Sequence, residues 1–182
     1  MREHFCQIRW VLALLATAGS AFFCLAPAEA NTPEVQVKAA YLYNFTSFVR
    51  WPAPPLGENS FRLCIAGRSD IANVLQQLVR GQTIAGQSIE VLGIEASQRD
   101  RVASCHLLYL GRGVDTARTL RSASLGMPVL TVCDRSAGTR GCVIDFLVID
   151  GRVRFAIDRD LAISQRLEVS SKLFDVAIAV PR

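Results

Sequence analysis

The apolar positions fall into one long block near the start of the chain and many short blocks after it. Trp10 to Leu25 is apolar apart from Thr17, Gly19 and Ser20, with Arg2 and Arg9 ahead of it and Ala28-Glu29-Ala30 behind it. A basic flank, an apolar stretch and a small-x-small tripeptide predict a secretory signal over residues 1–30, cleaved after Ala30. The apolar stretch, about sixteen residues long, is shorter than the roughly 20 that a membrane-spanning helix needs. Residues 31–182 are then expected to form one exported domain, large enough for a single hydrophobic core.

Within that domain the periodicity changes several times. Thr32-Pro33-Glu34 offers a helix N-cap, a proline in the first turn and an acid at the positive end. The segment to Trp51 is apolar on most faces, which predicts a largely buried helix stopped by Pro52, Pro54 and Pro55. Phe61 to Gly67 reads as a buried strand ending in glycine. Ser69 or Asp70 then caps a helix with Ile71, Val74, Leu75, Leu78 and Val79 on one face. Further strands are predicted over Ser88–Ile94, Cys105–Leu110 and Met127–Val132, with a helix over about Asp115–Leu125 between the last two. This alternation predicts an α/β fold, a mostly parallel sheet flanked by helices. Near the C-terminal end the rhythm breaks: Cys142–Ile149 and Arg152–Ile157 flank Asp150-Gly151, the signature of a β-hairpin. Asp158 or Asp160 caps a short helix, and Val169 to Leu173 leads into a last apolar one.

Composition narrows the function. Hydrophobic residues make up 51% of the chain and the formal net charge is +4, which supplies a core and argues against disorder. The positive charge is carried by scattered arginines, Lys38 and Lys172 being the two lysines. No basic cluster stands out in the sequence, so nucleic acid is not an expected partner. Cys6 and Cys24 lie within the signal. Cys64, Cys105, Cys133 and Cys142 remain, an even number in an oxidising compartment, which reads as two disulfides. Four cysteines allow three pairings; Cys133–Cys142, closing a small ring, and Cys64–Cys105 are favoured. No CxxC spacing occurs and His106 is the one histidine after the signal, so neither a metal site nor a cofactor is expected.

The candidates for chemistry are thin. Gly111-x-Gly113 with Arg112 between them resembles a phosphate cradle, but the position of a third glycine is taken by Thr116 and a tight turn explains the pair. His106 has no partner residues that spacing can supply, and Asp145, Asp150, Asp158 and Asp160 read as turn and cap residues. No catalytic residue is assigned. The first helix is richer. Tyr41, Tyr43, Phe45, Phe48 and Trp51 crowd one short segment, with Lys38 and Asn44 among them, polar groups that need partners if buried. Tyr41, Asn44, Phe48, Trp51 and Arg112 are the candidates for a partner or ligand surface. A pocket at the strand ends near Gly67, Gly111 and Cys133 is the corresponding expectation for a small-ligand receptor.

The run Lys38-Ala39-Ala40-Tyr41-Leu42-Tyr43-Asn44-Phe45, continued by Phe48-Val49 and Trp51-Pro52, closely resembles the opening of the YfiR family. The resemblance continues through Phe61–Gly67, Cys105–Leu110, Pro128–Val132, Gly151–Phe155 and Leu167–Leu173, and it covers the positions of all four cysteines after the signal. It implies a periplasmic α/β protein, often a homodimer and not an enzyme. Such a protein binds the periplasmic part of an inner-membrane GGDEF-type cyclase, or of a sensor kinase, and holds cyclic-di-GMP synthesis down. It further implies relief of repression by an outer-membrane lipoprotein, and stability that depends on the disulfides.

Overall fold

The computed structural model describes residues 33–52 and 60–179; the signal, Thr32 and the prolines Pro54 and Pro55 lie outside them. Helix α1 (Pro33–Phe48) opens the described residues, with Pro33 as its first residue and Glu34 in its first turn. It stops three residues short of Trp51. Val49–Arg50 instead form β1, a two-residue strand that pairs antiparallel with β9 (Glu168–Val169). Ser170 N–H donates to the Phe48 carbonyl at 2.8 Å, so the segment that follows β9 is fastened to the end of α1.

The main sheet holds seven strands: β2 (Ser60–Ala66), β3 (Thr83–Ile84), β4 (Gln87–Gly93), β5 (Leu107–Leu110), β6 (Leu130–Asp134), β7 (Ile144–Ile149) and β8 (Arg152–Ile157). Their spatial order is β3-β4-β2-β5-β6-β7-β8. Strands β4, β2, β5, β6 and β7 are mutually parallel, and β3 and β8 close the edges antiparallel. The chain steps from β2 to β4 on one side and then returns past β2 to β5 and β6, the topology of a doubly wound sheet with its switch point between β2 and β5. The β7–β8 turn has Asp150 and Gly151 both at positive φ, as a two-residue primed turn requires and as the Asp-Gly pair predicts.

Alternation sorts the strand side chains onto two faces. Phe61, Leu63, Ile65, Leu107, Tyr109, Leu130 and Val132 face α1 and α2 (Ser69–Leu78), together with Leu42, Phe45, Ile71 and Leu75. Cys64, Ala66, Leu108, Leu110 and Cys133 face the other way. There they meet α3 (Val114–Ala123) and the 3-10 segment Ala96–Ser104, through Ala117, Leu120 and Val102. The strand expected over Met127–Val132 runs instead from Leu130 to Asp134, because Val129 and Met127 belong to the tight turn that leaves α3. Arg68, rather than Ser69 or Asp70, occupies the N-cap of α2. Of the two caps considered for the short helix α4 (Arg159–Ser164), Asp158 serves, accepting from Leu161 N–H at 2.9 Å. The last helix, α5, is a single turn, Ser171–Phe174.

Candidate functional site

Both disulfides lie on the α3 face. Cys64 of β2 is bonded to Cys105, just ahead of β5, tying two neighbouring strands across 41 positions of sequence. Cys133 of β6 is bonded to Cys142, just ahead of β7. The second bond has a clear task. Parallel neighbours ordinarily need a crossover of a dozen or more residues, yet β6 and β7 are joined by residues 135–143 alone, and they pair only from Val132 to Asp134. The loop between the cysteines is stitched down as well. The Thr139 hydroxyl donates to the Leu110 carbonyl at 2.7 Å and accepts from Asp134 N–H at 2.7 Å. Asp145 accepts from Arg135 Nε at 2.9 Å and from Cys142 N–H at 3.2 Å. Among the described residues Cys133, Cys142 and Asp145 bring metal-type donors together. The two sulfurs are bonded to each other and the carboxylate is paired with Arg135, so the set does not fit a metal ion.

On the opposite face the residue after Cys133 anchors a buried charge cluster. Asp134 ends β6 on the same side as Leu130 and Val132, beneath α1. Its Oδ2 accepts from Lys38 Nζ at 2.6 Å and from the Tyr109 hydroxyl at 2.8 Å, and its Oδ1 from the Ser136 hydroxyl at 2.5 Å. Lys38 also reaches Glu34 one turn back at 2.5 Å. Arg68, paired with Asp70 at 2.7 Å, stands 3.9 Å from Asp134. Burial pushes the Asp134 carboxyl up, but the hydrogen bonds from Lys38, Ser136 and Tyr109 outweigh it and hold the group below the ordinary carboxylate range. Burial raises the Tyr109 phenol well above its usual value, so it remains a donor. The need of Lys38 for a partner is legible in the sequence; a partner 96 residues away is not.

Of the strand-end pocket expected near Gly67, Gly111 and Cys133, the part between Gly67 and Gly111 is closed, whereas a recess lined by Gly67, Arg68, Ser69, Gly93 and Ile94 lies on the β4 side. Open parallel sheets bind ligands at the carboxyl ends of strands beside the switch point, here between Gly67 and Gly111. A side chain on Gly67 would collide with the Arg112 carbonyl, and one on Gly111 with the Arg68 side chain. The two loops therefore touch through backbone, and Arg68 lies across Gly111 on its way to Asp70. Glycine is required at both positions by close approach, not by a phosphate.

The five surface candidates do not gather into one site. Tyr41 packs with Phe45, Phe146 and Phe155 in the core, with ring centroids 5.4–6.0 Å apart. Phe48 is half-buried against the same core, whereas Asn44 is exposed. Trp51 stands edge-on to Phe61 at 5.0 Å and donates its indole N–H to the His106 carbonyl at 2.9 Å. The His106 ring stacks on Phe61 at 4.3 Å, and its Nδ1 accepts from Arg62 N–H at 3.2 Å. These groups, with Tyr43, Arg50 and Ile84, line a groove of about 510 Å³ at the amino end of β5. Arg112 is exposed beyond the carboxyl end of that strand. At about 3.3 Å per residue, six positions put it on the order of 20 Å from His106.

A family model described as YfiR/HmsC-like matches residues 35–178. The chain belongs to the YfiR/HmsC-like family. The match begins at the first buried residue of α1, Val35, and ends at Ile178, whose N–H donates to the Phe155 carbonyl. It thus takes in both disulfides, the Lys38–Asp134 cluster and the aromatic groove of this YfiR/HmsC-like protein. No curated protein matches the chain. Among the described residues no helix is long and apolar enough to cross a membrane.

Proposed function

We propose that the protein is a periplasmic regulatory binding protein that represses an inner-membrane diguanylate cyclase, or a related membrane sensor, through that partner's periplasmic domain. The observation that carries this reading is the YfiR/HmsC-like match across residues 35–178, a family that is regulatory rather than catalytic. Two disulfides within the matched region fit an oxidising compartment and the export signal expected over residues 1–30. They also tie the stability of a repressor to periplasmic redox state: a fold that loses a few kcal/mol of constraint populates its unfolded form and frees the partner. Repression itself requires that the protein bind the inactive state of its partner more tightly than the active one. In this scheme it acts as a homodimer, and an outer-membrane lipoprotein relieves the repression by sequestering it. Retention of a GGDEF-type or kinase membrane protein on the tagged mature chain tests the proposal, and cyclic-di-GMP rises on deletion of the gene if the partner is a cyclase.

The second reading, a small-ligand receptor, is favoured by one observation: the groove beside Trp51, Phe61 and His106 combines aromatic walls with polar edges. It differs in position from the strand-end pocket that the sequence suggests. The two readings are compatible, since a ligand there would contact the end of α1.

A further inference from the structure

Arginines that look scattered in the sequence converge in the fold. A groove of about 250 Å³ runs between α3 and the loop closed by Cys133–Cys142. Val114, Arg118 and Arg121 line it from the helix, and Gly138 and Arg140 from the loop, with Cys133 buried beneath them. Its lining includes three cations and no acid. Arg118 lies 3.3 Å from Asp115, but both side chains are largely in solvent, where such a pair is weak. Arg140 is exposed, with no ion-pair partner among the described residues. Arg121 donates to the Gly141 carbonyl at 3.0 Å, and a side chain on Gly141 would meet its guanidinium at 2.6 Å. Glycine at that position is what lets the cation lie against the loop. One end of the groove opens at the N-terminus of α3, where Gly113 provides no side-chain cap, so the positive end of the helix adds to the field.

We propose that this groove docks an extended acidic segment of a protein partner. From Val114 to Arg121 the helix rises about 10 Å, a length that an extended chain covers with about three residues. Alternate side chains of such a segment point the same way, so carboxylates two positions apart meet guanidiniums on both walls. Arginine suits the task because its planar fork pairs carboxylates bidentately. Val114, exposed at the mouth, gives an apolar contact between them. A flat anionic bilayer favours protruding cations, whereas these line the walls of a recess. The loop wall exists because of the disulfide and the hydrogen bonds of Thr139, so the surface is intact only while that bond is oxidised. This deepens the regulatory reading by giving it a partner-facing surface, yet its test does not need the membrane partner.

The experiment is fluorescence anisotropy of the mature protein with a labelled peptide of alternating glutamate and valine, beside its glutamine–valine counterpart and vesicles of phosphatidylglycerol. The acidic peptide is expected to bind at least about tenfold more tightly than the glutamine one, with an affinity that falls as salt rises. Arg118→Glu/Arg140→Glu abolishes that preference, and Arg80→Glu, on the face opposite α3, leaves it unchanged. All three side chains are exposed, so unfolding midpoints matching the wild type certify the variants. Cys133→Ser/Cys142→Ser, which keeps Cys64–Cys105, lowers the affinity. Equal binding of the two peptides, no binding of either, an unaffected double variant, or groove-dependent binding to vesicles in place of peptide overturns the proposal. Each of those outcomes leaves the regulatory reading to stand or fall on membrane co-purification.

Discussion

Lys38 Nζ lies 2.6 Å from Asp134 Oδ2, and the two side chains are 0% and 1% exposed. The pair joins the first helix to the end of β6, one residue from the Cys133–Cys142 bond on the sheet's other face. Removing one partner strands a buried charge, which typically costs about 3–5 kcal/mol. Lys38→Met is therefore expected to lower stability by that order in urea denaturation. The double variant Lys38→Met/Asp134→Leu should cost clearly less than the two single changes added together, because the charges are coupled.

Acid dependence follows from the same cluster. Asp134 is held low by its hydrogen bonds against the effect of burial, and Asp70 is held low chiefly by its hydrogen bond from Arg68. A folded carboxyl below the unfolded value of 3.8 contributes stability that is present above that value and lost as pH falls through the folded one. Unfolding midpoints should be insensitive to these two groups between about pH 5 and pH 8 and should fall steeply below about pH 4. In Asp134→Asn that acid limb should flatten, as urea titrations at several pH values will reveal.

The disulfides divide the stabilisation unequally. For Cys133–Cys142, spanning 9 positions, the chain-entropy model gives about 2–3 kcal/mol; for Cys64–Cys105, spanning 41, it gives about 4 kcal/mol. Cys133→Ser and Cys64→Ser should reproduce that order under oxidising conditions and converge on the wild type in reductant. An unchanged midpoint for Cys133→Ser would remove the structural role assigned to the short ring.

Asn44 and Trp51 separate surface from scaffold on the first helix and its exit. Asn44 is exposed, so Asn44→Leu should alter stability by no more than about 0.5 kcal/mol. Loss of partner binding without loss of stability would place the helix surface in the interface. Trp51→Ala deletes the contact with Phe61 and the hydrogen bond to His106 and should cost about 2–4 kcal/mol.

Strands β2, β5 and β6 are legible because each is a short apolar run bounded by glycine, proline or cysteine, and the hairpin because Asp150-Gly151 admits few other geometries. What escapes the sequence is non-local. Val49–Arg50 and Glu168–Val169 carry no strand signal of their own and exist only through each other. The extension of β6 to Asp134 shows in hindsight as the alternation Leu130, Val132, Asp134, an acid where an apolar residue would face the core. Its partner Lys38, and the meeting of Arg118, Arg121 and Arg140, depend on how the sheet is wound. The resemblance marks the ancestry from the first helix, but the matching segments are mainly scaffold, so no partner contact can be read from them.

Co-purification addresses the central claim most directly. The mature protein, tagged at its C-terminus and with both disulfides intact, is passed against solubilised inner membrane, and what it retains is identified by mass spectrometry. The account predicts a membrane protein with a periplasmic domain and a cytoplasmic GGDEF or kinase domain. Folded, oxidised protein that retains no such partner would contradict it.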